Sequence, residues 1–423
     1  MTEKFFHLLD VSPYTVDYVN KAMESIAAQI AEADRVAEYN QYKVLRAMQI
    51  NRISEGHFAG TTGYGYNDLG RETLEAVYAM VFGAQSALVR PQMISGTHAL
   101  TAALFGNLRP GDELLSPTGA PYDTLQAVIG IRPASGSLAE YGVSYRQVDL
   151  TPEGGFDYDA IANSISTVTK MATIQRSKGY SWRKSFTISE LERLIAFIKG
   201  INPDIICMVD NCYGEFVEYT EPTEIGADLT VGSLIKNPGG GLAPAGGYIV
   251  GKEQYVKAAA TRLTAPGLGM EVGPTLGIVP LLMQGFFMAP QVVGGAVKGA
   301  ILAAKVFEQL GFPVLPAPTE PRSDIVQAIQ LGSPEKILAF CRGIQQSAPV
   351  DSYVTPEAGY MPGYDCPVVM AAGAFVQGSS IELSADAPMI PPYNVYFQGG
   401  LTTAHAKAGV MYAMEALRKE GYV

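Results

Sequence analysis

The chain has 423 residues, of which 48% are hydrophobic and 17% are charged, and its formal net charge is −11. This length and composition suffice for two or three folded domains, and no low-complexity run predicts a disordered arm. The acidic balance argues against nucleic acid or an anionic membrane surface as the main partner, because either would require a basic face.

The cysteines show no metal-ligand spacing, and the first ten residues lack the apolar stretch of a secretory signal. We therefore expect reduced thiols, a cytoplasmic location and no metal site. Residues 272–297 carry no charge, and by length alone they could span a membrane. Pro274, Pro280 and Pro290 predict instead that this stretch is divided into buried helical pieces.

The first part of the chain is predicted to be helical. Apolar residues recur at helical spacing between Asp17 and Met48, which predicts one long amphipathic helix in a segment that ends at residue 56. A loop rich in glycine and tyrosine follows at 61–70, and 71–82 is predicted to be a second helix.

From residue 87 onward, apolar strands alternate with helices, which is typical of an α/β fold with a mostly parallel central sheet. Strands are predicted at 87–91, 113–116, 143–150, 170–175, 205–209, 229–234 and 247–250, and helices at 97–105, 122–129, 157–164 and 187–199. We assign residues 57–294 to this domain.

Residues 295–423 are predicted to form a smaller α+β domain. Helices are predicted at 296–309 and 403–418, and strands at 312–314, 352–354 and 368–375. The domain boundary is expected near residue 294.

Ligands of α/β sheets bind at the carboxyl ends of the strands, and a small-residue turn follows one predicted strand end. Ser95, Gly96 and Thr97 precede a helix, where hydroxyl and backbone N–H groups can bind a phosphate. An ordinary helix cap would explain the same residues.

Two ionisable residues follow later strands of the same sheet. Asp210 comes directly after a buried strand, where a carboxylate can keep a heterocyclic nitrogen protonated; a loop aspartate is the alternative. Lys236 follows the next strand, and we expect its poorly solvated amine to lose its proton near neutral pH and attack an aldehyde. Ser233 could add a phosphate contact. The alternative is that Lys236 is a structural cation paired with an acidic residue, which is usual for a buried lysine without such neighbours.

A phosphate turn, an aspartate and a lysine in this order resemble the fold-type-I enzymes that use pyridoxal 5'-phosphate (PLP). More closely, HFAGTTGYGYNDLGRETLE, ISGTHAL, VDNCYGEF and SLIKNPGGGLAP are similar to the methionine γ-lyase-like family, which includes aluminium-resistance proteins related to cystathionine lyases. The likeness spans residues 57–400. It implies an aspartate aminotransferase-like fold, PLP bound to Lys236 as a Schiff base, and carbon–sulfur bond elimination from a sulfur-containing amino acid.

The resemblance implies further roles for three tyrosines. Tyr122 would stack on the cofactor and take part in proton transfer, although an ordinary aromatic residue at a helix start is the alternative. Tyr64 and Tyr66 would reach the cofactor phosphate of a neighbouring subunit, which implies a homodimer or homotetramer with shared active sites. A turn stabilised by stacked tyrosines would look the same in sequence.

The residues that bind the substrate carboxylate are less clear from sequence. Arg176 and Arg183, with Ser177 and Lys178 between them, follow a strand at the catalytic edge, and arginine binds carboxylates through two N–H groups. A solvated basic loop is the alternative. Near the C-terminus, where related enzymes have a carboxylate-binding arginine, this chain reads SSIELSADAP.

Other functions share the same motifs. Transamination and retro-aldol cleavage begin from the same bound cofactor, and a catalytically silent PLP-binding protein would also retain it. A nicotinamide-dependent oxidoreductase is disfavoured, because GYGYNDLG follows no apolar strand and lacks the later acidic residue of that fingerprint.

Overall fold

The computed structural model describes residues 8–360 and 366–423. The strands are β1 (Ser86–Arg90), β2 (Glu113–Ser116), β3 (Ser144–Gln147), β4 (Thr169–Gln175), β5 (Ile206–Asp210), β6 (Leu229–Ser233), β7 (Gly247–Gly251), β8 (Val314–Leu315), β9 (Val326–Gln330), β10 (Val368–Ala372), β11 (Ser384–Pro388) and β12 (Asn394–Gln398). The α-helices are α1 (Pro13–Ser25), α2 (Ala27–Ile50), α3 (Leu69–Val81), α4 (Gly96–Asn107), α5 (Asp123–Ile129), α6 (Tyr158–Ser164), α7 (Ile188–Ile201), α8 (Glu253–Leu263), α9 (Val279–Gln309), α10 (Pro334–Gln346) and α11 (Thr403–Lys419).

The larger sheet has seven strands in the order β1-β7-β6-β5-β4-β2-β3. Strands β2 to β6 pair in parallel, whereas β7 pairs antiparallel to both β1 and β6. The prediction of an α/β domain with a mostly parallel sheet is confirmed.

Alternate residues of the sheet pack into two apolar cores, one on each face. On β5, Met208 joins a cluster with α4 and α8, while Cys207 and Val209 join a cluster with α7 on the other face. All three side chains are fully buried, as expected for a central parallel strand covered on both sides.

The charge-free stretch is not divided as its prolines predicted. Helix α9 runs unbroken for 31 residues with Pro290 inside it, so the predicted boundary near residue 294 lies within a helix. Proline removes a helical hydrogen bond and leaves a carbonyl without its donor. The carbonyl that loses its donor is that of Phe286, and Gln41 of α2 donates to the neighbouring carbonyl of Phe287 at 2.8 Å.

Within the described residues, α9 is the one helix long and apolar enough to span a membrane. Its most apolar window is 78% buried inside the protein, and α2 packs along it. The helix is therefore part of the core and joins the two domains.

The predicted long N-terminal helix is instead two helices, α1 and α2, which meet at Ile26. Helix α1 packs against the smaller domain, where Ser12 and Thr15 donate to the carboxylate of Glu415 at 2.7 and 2.5 Å. Asn40 of α2 donates to the backbone carbonyls of Phe216 and Glu218 in the larger domain. The N-terminal helices thus bind both domains.

The smaller domain has an antiparallel sheet in the order β10-β11-β12-β9-β8, with α10 and α11 packed against each other. The predicted strand at 352–354 is wrong, because these residues form a turn. Strands β9, β11 and β12 and helix α10 have no counterpart in the prediction, because their short apolar runs are interrupted by polar residues.

A buried ion pair connects the two domains. The ammonium group of Lys178 lies 3.3 Å from the carboxylate of Asp324 and donates to the carbonyl of Val326 at 3.0 Å. Asp324 also accepts hydrogen bonds from Ser177 and Ser185, and both members of the pair are nearly inaccessible to solvent. The segment that follows β4 is therefore fixed to the smaller domain.

Removing the charge of Asp324 should destabilise the protein. In Asp324→Asn the Lys178 ammonium group stays buried without a counter-ion, which typically costs about 3 kcal/mol or more in the free energy of unfolding. Denaturant unfolding followed by circular dichroism would measure the loss.

The matched control is Glu320→Gln, which breaks a more exposed ion pair between the same two segments, Lys184 with Glu320. Exposed pairs contribute about 0–1 kcal/mol, so this variant should unfold close to the wild type. Equal stability of both variants would show that the buried pair is not what joins the domains.

Candidate active site

The three places singled out in the sequence meet at the carboxyl edge of the larger sheet. Asp210 ends β5 and lies in register with Gln175 on β4 and Val231 on β6, and Ser233 ends β6 two residues later. Parallel strands bring their carboxyl ends to one edge, where ligands bind in open α/β sheets.

The turn before α4 lies directly against these strand ends. A Cβ atom added to Gly96 would lie 3.3 Å from the Cβ of Ser233 and 3.5 Å from the Sγ of Cys212. Ser95 caps the helix by accepting the N–H of His98 at 3.1 Å. The first N–H groups of a helix have no helical acceptor, so this turn offers donors to an anion beside Ser233.

Thr97 connects this turn to Tyr122. The Thr97 hydroxyl lies 2.8 Å from the Tyr122 hydroxyl, and the Tyr122 backbone N–H donates to Gln175 at 2.8 Å. Burial, and then the charge of Asp210, raise the pKa of Tyr122. Tyr122 is therefore a neutral hydroxyl, held between the turn and the strand ends.

Asp210 is a buried carboxylate with few donors. The backbone N–H of Cys212 donates to it at 3.1 Å, and no ion pair in the described part of the chain includes it. Burial raises its pKa, while Lys236 and the Cys212 N–H oppose that rise. A cationic N–H donor placed against Asp210 would relieve this unfavourable burial.

The turn after Lys236 is fixed by close packing on α9. Its first residue, Asn237, donates to the carbonyl of Glu215 at 3.0 Å. A Cβ added to Gly239 would lie 1.8 Å from the carbonyl oxygen of Leu234, and one on Gly240 would lie 2.3 Å from that of Gly285. The glycines after Lys236 therefore allow a backbone approach that no larger residue permits.

The electrostatic surroundings of Lys236 bear on one expectation. Burial lowers the pKa of its amine, but Cys212, Tyr213, Tyr122 and Asp210 surround it and together raise the pKa well above its usual value. In the chain by itself these groups oppose the predicted loss of the proton near neutral pH. Pairing Asp210 with another cation would remove one of these contributions.

Tyr213 is a site residue that the sequence did not reveal. The Lys236 ammonium group lies 4.1 Å from the centre of its ring, and its hydroxyl donates to Ser380 of the smaller domain at 3.3 Å. Its backbone adopts a φ of +74°, which is uncommon outside glycine and concentrates at functional sites.

The predicted carboxylate-binding arginines have other partners. Arg176 is fully buried, and its guanidinium donates to Asn211, the carbonyl of Gly214 and the carboxylate of Glu218 at 2.7–3.0 Å. Arg183 donates to backbone carbonyls, including those of Gln175 and Ser177, and stacks on Phe186.

Through these contacts the guanidinium groups of Arg176 and Arg183 fix the surrounding loops, and their role in binding the substrate carboxylate stays a prediction. Ser177 and Lys178 are likewise engaged in the contact with Asp324 described above.

Tyr64 and Tyr66 lie apart from the residues around Lys236, on the surface of the chain. They are 67% and 55% exposed, and their rings stack at 5.5 Å between centroids. The loop that carries them is rigidly anchored, because Arg71 donates to the carbonyls of Gly65 and Gly273 at 2.6 and 3.1 Å.

The smaller domain supplies a second wall facing Lys236. Asp386 on β11 accepts hydrogen bonds from Gln398, at 3.0 Å, and from the hydroxyl of Tyr180. Burial raises the pKa of Asp386 to about 6, and Lys236 is among the groups that oppose the rise. Sequence reasoning noticed that this segment has no arginine, but not that its aspartate lines the site.

The positions of these residues are compatible with bound PLP, and each can keep the role that the sequence predicted for it. The turn at Ser95–Thr97 and Ser233 could bind the phosphate, and Asp210 could bind the pyridine nitrogen. Lys236 could bond to the aldehyde carbon, and Tyr122 could stack on the face of the ring. Asp210 is a buried carboxylate that accepts the Cys212 N–H and forms no direct ion pair among the described residues, which favours a protonated heterocycle over a neutral ligand.

The fold is that of the fold-type-I PLP enzymes. The PLP-dependent protein YhfS of Escherichia coli has a similar fold, with a TM-score of 0.62 at 17% identity over 92% of this chain. Residues 15–418 match the model of the methionine gamma-lyase family. The chain belongs to this family.

Closer relatives cover nearly the whole chain. A solved structure named as a carbon-sulfur lyase involved in aluminum resistance, from Clostridium novyi, is 48% identical with a TM-score of 0.94 and covers 98% of both chains. A candidate cystathionine beta-lyase of Clostridium acetobutylicum is 49% identical, with the same TM-score and coverage. The uncharacterized protein YnbB of Bacillus subtilis is 50% identical over 410 residues, 96% of this chain and 97% of its own.

Asp386 should give the protein a measurable pH dependence of stability. Its pKa rises from 3.8 to about 6 on folding, so the folded chain binds this proton more tightly than the unfolded chain does. The resulting stabilisation is complete below pH 3.8 and is lost as the pH rises through 6. Asp386→Asn should therefore flatten the decline in the free energy of unfolding across this range.

Denaturant unfolding at a series of pH values measures this effect. Asp204→Asn is the control, because the same change of charge is made at an exposed residue just before β5, at the opposite edge of the sheet. An Asp386→Asn curve parallel to that of the wild type would contradict the assignment.

Proposed function

We propose that the chain is a PLP-dependent carbon–sulfur lyase that acts on a sulfur-containing amino acid. The observation that carries the proposal is the meeting of Asp210, Lys236 and the turn at Ser95–Thr97 at one edge of the sheet. The family and the relatives named as carbon–sulfur lyases support the reaction class.

PLP, when bound, would act as the electron sink for the bond that breaks next to the substrate's α-carbon. The proposed task of Asp210 is to keep the pyridine nitrogen protonated. Gly96, Thr97 and Ser233 would bind the phosphate, and Tyr122 would stack on the ring and keep Thr97 in position.

Lys236 is proposed to hold the cofactor and then to move protons. Its Nζ would accept the α-proton of the substrate, and the cation-stabilising ring of Tyr213 at 4.1 Å would keep the protonated amine in position. The carbon–sulfur bond then breaks and the sulfur leaves as a thiolate. With one water consumed, the products are a thiol, ammonia and a 2-oxo acid.

The proposal assigns the reaction to the cytoplasm and to an oligomer with shared active sites. Tyr64 and Tyr66 are exposed on an anchored loop, and Leu69 and Leu276 beside them are 60% and 63% exposed. An exposed apolar surface on a rigid loop favours contact with a second copy of the chain. In that dimer or tetramer the tyrosines would reach the partner's cofactor phosphate.

Substitution of Lys236 tests the cofactor and the reaction together. Borohydride reduction of the PLP-loaded protein should fix the label on the peptide that contains Lys236, and Lys236→Ala should show no fixation. Thiol release from cystathionine, methionine or cysteine should fall by about 10²–10⁴-fold in this variant.

The control is Lys257→Ala, which removes a lysine on the exposed face of α8 and should leave both readouts unchanged. Normal turnover by Lys236→Ala would overturn the proposal. Amine transfer to an added oxo acid would indicate an aminotransferase, aldehyde release from a β-hydroxy amino acid would indicate an aldolase, and bound PLP without turnover would indicate a silent binding protein.

Mixed oligomers test whether active sites are shared. A chain with Tyr64→Phe and Tyr66→Phe and a chain with Lys236→Ala should each be nearly inactive. After unfolding and refolding together, a hybrid dimer has one intact site, so about a quarter of wild-type activity should return.

The matched control mixes Lys236→Ala with a chain that carries all three substitutions, which leaves no intact site in any hybrid. If mass spectrometry shows that hybrids form but the first mixture regains no activity, the tyrosines do not contribute to the active site of the partner subunit.

A further inference from the structure

Glu215 is a fully buried acid that the proposed mechanism does not use. A Cβ atom added to Gly232 of β6 would lie 2.6 Å from its Oε1, so the carboxyl group lies against this strand. Val231 packs in the core with α4, and its neighbour Gly232 therefore faces the other side of the sheet. The glycine makes room for a carboxyl group beneath the strand that leads to Lys236.

The Glu215 carboxyl group has few hydrogen-bond partners. Tyr248 of β7 lies opposite Gly232 in the sheet, and its hydroxyl donates to Oε1 at 2.7 Å. The other oxygen, Oε2, is buried without a partner, and no ion pair in the described part of the chain includes Glu215. Burial of a charged carboxylate with so few donors costs much more than burial of the neutral acid. This environment favours the protonated form.

Titratable groups from several elements act on Glu215. Burial and the nearby Glu221 raise the pKa of Glu215 to about 8, whereas the hydrogen bond from Tyr248 and the positive charge of Lys236 oppose the rise. The other titratable neighbours are uncharged because burial raises their pKa values, and they are Tyr78 of α3 and Cys212 of the same loop. Lys236 is thus the cation whose charge is coupled to that of Glu215.

The backbone fixes the geometry of this coupling. The side chain of Asn237, the residue directly after Lys236, donates to the carbonyl of Glu215 at 3.0 Å. The loop that carries Glu215 and the turn that carries Lys236 are therefore bonded to each other, in addition to the packing of Glu215 against Gly232.

We propose that Glu215 is a positioning residue for the proton of Lys236, uncharged at neutral pH and ionised under alkaline conditions. As a neutral acid it leaves the amine with one negative neighbour fewer, so the amine can take up and release the α-proton of the substrate. Once ionised, it makes Lys236 hold its proton more tightly. This inference rests on the proposed function for the task of Lys236, but its test needs no cofactor.

Acetylation of the chain without PLP measures the coupling, because acetic anhydride reacts with unprotonated amines. Mass spectrometry of the peptides gives the rate at Lys236, with the exposed Lys257 as internal reference. In Glu215→Gln the amide oxygen can still accept the Tyr248 hydroxyl, but the side chain cannot ionise. The relative rate at Lys236 should match the wild type at neutral pH and exceed it by about 3–10-fold above pH 8, equivalent to a fall of about 0.5–1 in the pKa of Lys236.

Tyr248→Phe is a second variant that keeps the test decisive if Glu215→Gln folds poorly. It removes the donor to Glu215 without removing a charge, because burial keeps the Tyr248 hydroxyl protonated. The pKa of Glu215 then rises further, so Glu215 stays uncharged to higher pH. Lys236 should consequently react faster than in the wild type just above pH 8, and at the wild-type rate at neutral pH.

The matched control is Glu113→Gln, which makes the same chemical change at a buried carboxylate at the start of β2, on the opposite edge of the sheet. Its relative rate at Lys236 should equal that of the wild type at both pH values. Faster acetylation of Lys236 in Glu215→Gln at neutral and alkaline pH alike would indicate a loosened turn, and equal rates at both would indicate no coupling. Either result overturns the inference.

Failure of this inference is distinguishable from failure of the proposed function. If PLP-loaded protein releases thiol but the acetylation rates do not change with pH as expected, the lyase function stands and the role of Glu215 fails. If the rates change as expected but no thiol is released from any sulfur-containing amino acid, the coupling of Glu215 to Lys236 stands and the lyase function fails.

Discussion

The site depends on the buried carboxylate of Asp210, which forms no direct ion pair among the described residues and has Lys236 as its nearby positive charge. Asp210 ends a strand with both faces covered, and a backbone N–H from Cys212 is its main donor. Such burial is unfavourable in the isolated chain and becomes favourable when a cationic partner binds. The packing of the two apolar cores on either side of β5 therefore stabilises a fold that keeps this carboxylate buried.

The rest of the site is arranged around that charge by close backbone packing. Gly96 brings the turn before α4 against Ser233 and Cys212, and the glycines after Lys236 press its turn onto α9. Helix α9 continues into the smaller domain, and the buried pair of Lys178 and Asp324 joins the domains on the other side. The wall containing Asp386 is consequently held at a defined position relative to Lys236.

Polar residues at this edge divide into two kinds, which the sequence does not distinguish. Arg176 and Arg183 have their guanidinium groups bonded to protein carbonyls and side chains, so they determine loop shape. Asp210 accepts one backbone N–H and Asp386 accepts hydrogen bonds from two side chains, and neither forms an ion pair among the described residues. Whether a buried charge is satisfied by its own chain is thus the property that separates structural from binding residues here.

The sequence alone determined the larger domain and the positions of its strands along the chain, because buried parallel strands are short apolar runs separated by helices of clear periodicity. It also determined that the turn at Ser95–Thr97, Asp210 and Lys236 would share one edge, because the carboxyl ends of parallel strands lie at the same edge of a sheet. Only the tertiary structure decided that Pro290 lies within one helix, because the buried packing of α9, including its contact with α2, outweighs the hydrogen bond that the proline removes. It likewise decided the pKa of Lys236 and the part taken by Tyr213 and Asp386. Those properties arise from groups far apart in the chain, which local patterns cannot report.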